Sequence, residues 1–167
     1  KLISTKPFEV DRLIVSAFLI KNKIAVRNNE LLKSYLIQER EIDEYCKVVK
    51  FISILETESS DFNTEKLIEL FEFVVSPEDR IINGAIYTPL NIREYIIQQA
   101  FIAKRDSIRS LKIADISCGC GGFVFNAAKE VKRCTNKSYF EIFKYQIFGL
   151  DIQQYSITRT KLLLILL

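Results

Sequence analysis

The chain of 167 residues has no histidine and no methionine, only three prolines and only five glycines. Each shortage excludes something. A zinc knuckle wants two to four residues between paired ligands and a second pair elsewhere. The lone Cys118-x-Cys120 pair, in a chain without histidine, does not supply that, and no metal site is expected. The prolines, Pro7, Pro77 and Pro89, never adjoin, so there is no Pro-Pro dipeptide. No apolar run reaches the roughly 18 to 20 residues of a membrane-spanning helix. The start, KLISTKPFEV, lacks the long apolar segment and small-residue cleavage site of a signal peptide. The four cysteines, Cys46, Cys118, Cys120 and Cys134, show no framework spacing. Reduced thiols in a cytoplasmic protein without a membrane partner are therefore expected. The chain begins without an initiator methionine and ends inside the apolar run KLLLILL, so both ends are expected to be cuts in something longer.

What is present is apolar and unevenly charged. Apolar residues make up 49% of the chain, enough for a real core. Residues 1–80 carry 12 basic and 15 acidic side chains, whereas residues 81–167 carry 12 basic and 6 acidic. A basic second half suits a polyanionic partner, and it equally suits a solvated surface balanced elsewhere.

Residues 7–76 read as helical, and 1–80 as an all-helical N-terminal segment. Within 28–55, Leu31, Leu32, Tyr35, Leu36, Ile42, Tyr45, Cys46, Val49 and Ile52 recur at steps near three and four. SSDFN (59–63) is a polar break, TEKLIELFEFVV (64–75) a further helix, and SPED (76–79) a helix start. From residue 81 the texture changes. LNIREYIIQQAFIAKR (90–105) predicts a helix with Ile92, Tyr95, Ile96, Ala100 and Phe101 on its buried face. LKIADIS (111–117) predicts a strand, FVFNAAKEVKR (123–133) a helix, YQIFGLDI (145–152) a second strand, and QQYSITRTKLLLILL (153–167) another helix. Strand–helix–strand–helix is the beginning of an α/β doubly wound parallel sheet.

Three of the five glycines, Gly119, Gly121 and Gly122, fall between the first strand and its helix. Ligands bind there in open α/β sheets. Glycine lets backbone amides approach a ligand, and the helix start favours negative charge. Phe123 and Ala127 leave the G-x-G-x-x-G fingerprint incomplete, and no Gly-Lys-Ser or Gly-Lys-Thr phosphate loop exists. A plain tight turn is the bland alternative. Asp151 ends the second strand, where an acid can accept hydrogen bonds from both hydroxyls of a ribose; its bland alternative is a helix cap. Loop and acid together point to an adenosine-bearing ligand.

These residues resemble a family. DISCGCGGF (115–123) resembles the Asp-Pro-Ala-Cys-Gly-Ser-Gly-x-Phe motif of adenine-N6 DNA methyltransferases, which use S-adenosylmethionine. NGAIYTPLNIREYII (83–97) resembles the Tyr-Thr-Pro segment and helix that precede that motif. IFGLDIQQYSITRTKLLLILL (147–167) resembles the Gly-hydrophobic-Asp-Ile-Gln segment and the helix after it. The helical first half is similar, more loosely, to the segment ahead of the catalytic domain in type I modification subunits and fused restriction–methylation polypeptides. The Asp151-Ile152-Gln153 form leans toward the fused type.

The resemblance implies a Rossmann-like methyltransferase domain whose first part is 81–167. It implies a cofactor set of Tyr87, Thr88, Asp115, Ser117, Cys118, Gly119, Gly121, Asp151 and Ile152. Thr88, next to Tyr87 in the Tyr-Thr-Pro match, would contact the methionine carboxylate, and Asp115 would serve the ammonium. Cys118, Gly119 and Gly121, in the loop opened by Ser117, would run along the homocysteine and ribose. Asp151 would take the ribose hydroxyls, and Ile152 would pack on adenine. Ile116, Ser117 and Cys120 depart from the family's Pro, Ala and Ser. Cys120 is a poorer hydrogen bonder than Ser, so a weaker loop closure is expected.

The resemblance also implies methyl transfer to an adenine flipped out of duplex DNA and held by an Asn- or Asp-Pro-Pro-Tyr or -Phe motif. With no Pro-Pro, the chain holds no catalytic residue and is expected to be inactive alone. Its implied partners are double-stranded DNA through the full-length protein, and specificity or restriction subunits. Two other readings stay open. One is a methyltransferase of the same fold acting on RNA or on a protein glutamine. The other is a non-catalytic helical interaction module with a degenerate cofactor fold.

Overall fold

The computed structural model describes residues 7–58, 61–75 and 86–167. It divides into two units, Lys1–Asp79 and Arg80–Leu167. The expected helix start at 76–79 and the first part of the 82–89 loop lie outside the described residues.

In the first unit, α1 (Pro7–Lys21) is the central element. Pro7 sits in its first turn with Glu9, and Lys21 in its last, each on the side that the helix dipole favours. Ile14, Val15, Ala17, Phe18 and Leu19 are all buried. A helix apolar on every side is one surrounded by partners, and α1 packs against α2 (Glu30–Tyr35), α3 (Ile42–Glu58) and α4 (Thr64–Phe73). The α4 side contributes Leu67, Ile68 and Phe71, all fully buried. Each such side chain contributes about 1.5–3 kcal/mol over leaving it in water. Asn29 and Asn63 cap α2 and α4, their side-chain oxygens accepting from Leu32 N at 3.0 Å and Lys66 N at 3.0 Å.

The helical periodicity through 28–55 does not make one helix. The chain breaks between Tyr35 and Ile42, and the cause is a contact remote in sequence. The buried Ser16 hydroxyl donates to Tyr35 O at 2.7 Å and accepts from Ile37 N at 2.7 Å. It takes two backbone groups that a continuous helix would have paired internally, and Ile37 is buried beside it. Glu41 holds the next turn, accepting from Gln38 N at 2.9 Å and pairing with Arg12 at 2.7 Å. Where α1 ends, Lys23 takes a left-handed φ of 52°. Lys23 N donates to Ile20 O and Ile24 N to Leu19 O, the helix-terminating pair of bonds that usually has glycine at this position.

In the second unit, two short parallel strands, β1 (Ile113–Asp115) and β2 (Ile147–Gly149), pair with Ile113 opposite Ile147 and Asp115 opposite Gly149. This two-stranded sheet, within a mostly helical chain, is the sheet present among the described residues. Helix α6 (Gly122–Cys134) packs against both strands and against α5 (Leu90–Ala103), α7 (Tyr139–Tyr145) and α8 (Gln154–Ile165). Val124, Ala127, Ala128 and Val131 of α6 form the core with Ile97, Phe101, Ile142 and Ile147. Just ahead of β2, the buried Gln146 side chain donates to Ile108 O at 3.0 Å and Leu111 O at 2.8 Å, in the segment that leads into β1. That fixes where the strand begins. No described helix is long and apolar enough to cross a membrane.

The structure departs from the expected apolar faces in α3, where Ile42, Cys46 and Val49 are exposed and Val48, Phe51 and Leu55 are buried, and in α5. The buried face of α5 is Arg93, Ile97 and Phe101, so of the expected face only Phe101 is buried. Ile92, Tyr95 and Ile96 are exposed. Ile96 and Ala100 line an open cleft of about 510 Å³ with Ile113, Ile116 and Phe148. The helix has turned to bring Arg93 inward, for a reason that lies in the glycine loop. Helix α7 was not foreseen. Its signal was the capping box Ser138-x-x-Glu141, in which Ser138 Oγ accepts from Glu141 N and Glu141 accepts from Ser138 N.

Candidate functional site

The loop from Ile116 to Gly121 leaves the carboxyl end of β1 and turns into α6. Its path is set by backbone bonds. Leu150 N donates to Asp115 O and Cys118 N donates to Leu150 O, both at 2.9 Å, so the loop extends the pairing of β1 with β2. Gly121 N then donates to Cys118 O at 2.8 Å and closes the turn. Gly121 has a φ of 90°, and a Cβ there would lie 2.7 Å from Thr160 Oγ1 and 3.0 Å from Thr160 Cα. Only glycine allows both that backbone and that approach. At Gly122 a Cβ would lie 2.6 Å from Arg93 Nη1. This accounts for Arg93 on the inner face of α5, where it also donates to Thr88 O at 3.3 Å. The glycine cluster is therefore a close-packed corner, with α8 against one glycine and a buried arginine against the next.

The two acids flank this corner. Asp115, half-buried, accepts from Ser117 N at 3.1 Å through Oδ1. Asp151, also half-buried, accepts from Gly119 N at 2.9 Å through Oδ2 and from Gln153 N at 2.8 Å through Oδ1. Asp151 thus ties the loop after β1 to the segment after β2. Its bond to Gln153 N is a turn just ahead of α8, whose N-cap is Gln153 with no side-chain cap, so Asp151 does not cap the helix. A carboxylate offers about four lone-pair sites. Two backbone donors leave room on Asp151 for a diol. Ile152 beside it is 85% exposed and Ile116 is 77% exposed, apolar surface at the rim of the loop.

The two loop cysteines are buried, whereas Cys46 and Cys134 are exposed. Cys118 is buried, its thiol 3.8 Å from Thr160 Oγ1. Burial pushes this thiol up from its ordinary pKa, and the Asp151 and Asp115 charges push it further up. Cys120 is also buried. Its sulfur lies 3.7 Å from Tyr87 Oη and 3.8 Å from Arg159 Nη1. The bond that closes the turn, Gly121 N to Cys118 O at 2.8 Å, does not pass through Cys120. A poor hydrogen bonder sits where a phenol and a guanidinium both reach it, inside a packed corner. Tyr87 is pushed far above the ordinary phenol range, by burial first and then by Cys120, so it stays a neutral hydroxyl.

Of the residues singled out in the sequence, Tyr87, Cys118, Gly119, Gly121 and Asp151 meet in one place through these contacts, and a Cβ on Gly119 would lie 3.3 Å from the Tyr87 ring. Asp115 and Ser117 adjoin them by backbone. Thr88 is joined through Arg93, and Ile152 stands at the rim. Sequence reading missed Arg93, Arg159 and Thr160, all buried. Arg159 also lies over the Tyr155 ring at 4.9 Å. No sequence signal marked them, since the apolar periodicity put the inward face of α5 on Ile92, Tyr95 and Ile96 rather than on Arg93.

A family model described as N-6 DNA methylase matches residues 69–166. Comparison with curated proteins and with solved structures returned no match. The matched span runs from within α4 to the end of α8 and holds every element of the glycine corner. It takes in more than half of the chain, and the protein belongs to the N-6 DNA methylase family.

Proposed function

We propose that this chain is the N-terminal and cofactor-binding portion of an enzyme that methylates the N6 amine of adenine in DNA, within a restriction–modification system. The observation that supports the reading best is the bond from Gly119 N to Asp151 Oδ2 at 2.9 Å. It joins the loop after the first strand to the acid after the second, the pair of features an adenosine ligand requires. The sheet is the start of a doubly wound one.

The residues present fit S-adenosylmethionine. An ammonium, a carboxylate, a ribose diol and an adenine ring need an acid, donors, a second acid and an apolar face. Asp115 would hold the ammonium, Thr88 the carboxylate, and Asp151 the diol. Cys118, Gly119 and Gly121, flanked by Tyr87 and Ser117, would run along the homocysteine and ribose, and Ile152 would pack on the adenine. The cofactor, when bound, supplies an activated methyl group. The flipped base needs its own holder, and with no Pro-Pro in the chain that holder comes from sequence outside these residues. Duplex DNA and restriction or specificity subunits are partners of the whole enzyme, and the Asp151-Ile152-Gln153 form favours a fused restriction–methylation architecture.

The test is calorimetric titration of the chain with S-adenosylmethionine and S-adenosylhomocysteine, with Asp151→Ala beside it. Saturable binding that the variant loses supports the reading. No binding in either chain overturns the cofactor assignment and leaves a helical interaction module. Methyl transfer to duplex DNA by the chain alone stays at background in the proposed reading, and turnover would contradict it.

A further inference from the structure

We infer that Thr160 of α8 is a positioning residue for the glycine loop. It holds the backbone of residues 118–121 in one shape, against α8. The inference rests on the loop being the cofactor site, and it adds a residue outside the nine proposed to touch the cofactor.

One hydroxyl serves two loop residues. Thr160 Oγ1 donates to Gly119 O at 3.2 Å. With its proton so engaged, the same oxygen accepts from the Cys118 thiol at 3.8 Å, which matches the hydroxyl's capacity of one donor and two acceptor lone pairs. The residue is 5% exposed, so water does not replace these bonds when they are lost. The third contact is steric. Gly121 has no Cβ, and the Thr160 side chain and Cα occupy that space. Cys118, Gly119 and Gly121 are thus each touched by the same side chain, from the side of the loop facing α8. The neighbouring Arg159 reaches Cys120, so the helix after β2 meets four consecutive loop residues through two consecutive side chains. Asp151 at the start of the same β2–α8 connection holds Gly119 N. Gly119 is therefore gripped at both ends of its peptide groups, its N–H by Asp151 and its C=O by Thr160. The loop follows the position of α8.

Thr160→Val removes the hydroxyl and keeps the branched shape. Thr160→Ser keeps the hydroxyl. Two quantities separate this inference from the cofactor reading. The first is amide hydrogen exchange at Gly119 and Gly121, read by NMR on the full chain without any ligand. The second is S-adenosylhomocysteine affinity by calorimetry. A buried neutral hydrogen bond shifts such an equilibrium by roughly three- to tenfold. Thr160→Val is expected to speed exchange at both glycines by about that factor while the α6 amides keep theirs, and to weaken S-adenosylhomocysteine by a similar factor. Thr160→Ser is expected to restore both. If wild type binds no S-adenosylhomocysteine, the cofactor reading fails and the exchange result still decides whether Thr160 positions the loop. Unchanged exchange in Thr160→Val overturns the inference. So does a Thr160→Ser variant as impaired as Thr160→Val, because the hydroxyl would then not be what holds the loop.

Discussion

Replacing Gly121 by alanine puts a methyl group where α8 already is. The added Cβ would lie 2.7 Å from Thr160 Oγ1, 3.1 Å from Thr160 Cβ and 3.0 Å from Thr160 Cα. The first of these could yield by rotation of the side chain. The last cannot, because it belongs to the helix backbone, so α8 and the loop must separate by several tenths of an ångström. The φ of 90° adds a second penalty. An L-residue in left-handed backbone costs about 1–2 kcal/mol, and overpacking a filled interior about 1–3 kcal/mol. Alanine also narrows the unfolded ensemble, which returns about 0.4–1 kcal/mol. The net destabilisation is about 1–4 kcal/mol, a large share of the roughly 5–15 kcal/mol that holds a typical domain.

The assay should read the second unit and nothing else. Hydrogen exchange at Ala128 and Val131, both fully buried on α6, reports opening of the core around the sheet. At 1.4 kcal/mol per tenfold, Gly121→Ala should speed their exchange by between about fivefold and several hundredfold. Gly149→Ala is the comparison. Its Cβ would lie 3.3 Å from Cys118 Sγ, and its backbone is not left-handed, so the effect should be distinctly smaller. Exchange in Gly121→Ala within twofold of wild type would refute the argument that this glycine exists to admit Thr160. A larger effect at Gly149 would do the same.

Other outcomes follow from the same structure. Asp151→Asn keeps one acceptor and should retain weak S-adenosylhomocysteine binding in calorimetry, while Asp151→Ala should abolish it; equal loss in both would mean that the charge alone matters. Lys23→Gly relieves a left-handed φ of 52° and should stabilise the first unit by up to about 1 kcal/mol in urea melts followed by circular dichroism. Glu41 is held below the usual carboxylate range, first by the Gln38 backbone N–H and then by Arg12. Because its folded pKa is depressed, its contribution is complete above the ordinary glutamate value of about 4.3 and disappears as pH falls through the lower folded value; Glu41→Gln should flatten that acid limb in a helicity–pH profile. Ser138→Ala removes the hydroxyl half of the α7 capping box and should cost about 1 kcal/mol, visible as faster exchange at Ile142.

Elements whose cause is local were readable in advance. β1, α6, β2 and α8 announce themselves through short isoleucine-rich runs, a glycine cluster and a terminal acid, and they lie where those signals put them. The inward face of α5 did not. Periodicity counts apolar residues, so it chose Ile92, Tyr95 and Ile96. The structure buries Arg93 instead, because Gly122 leaves a space that a guanidinium enters. The break between α2 and α3 was hidden for a related reason. Its agent, Ser16, is 19 residues before the carbonyl it satisfies, and nothing near Leu36 marks the interruption. Helix α7 is a different case, since its start is marked locally by the capping box of Ser138 and Glu141.

The candidate site divides along the same line. Asp115, Gly119, Gly121 and Asp151 stand out in the sequence because strand ends and tight corners demand particular residue types. Thr160, Arg159 and Arg93 do not stand out, since threonine and arginine are ordinary on any helix. Yet these three decide what each glycine is for. Gly121 is matched to Thr160, Gly122 to Arg93, and Cys120 to Arg159 and Tyr87. The substitutions that separate this loop from the family pattern, Ile116, Ser117 and Cys120, are also sorted by these partners. Ile116 and Ser117 are exposed, while Cys120 is the buried one. A change at Cys120 would be transmitted to Tyr87 and to α8, whereas changes at 116 and 117 meet solvent or a ligand. Cys120→Ser, the family's own residue, should therefore alter the spacing between Tyr87 and Arg159 before it alters anything a ligand touches. An affinity gain without a shift in the Tyr87 ring resonances would count against that order of events.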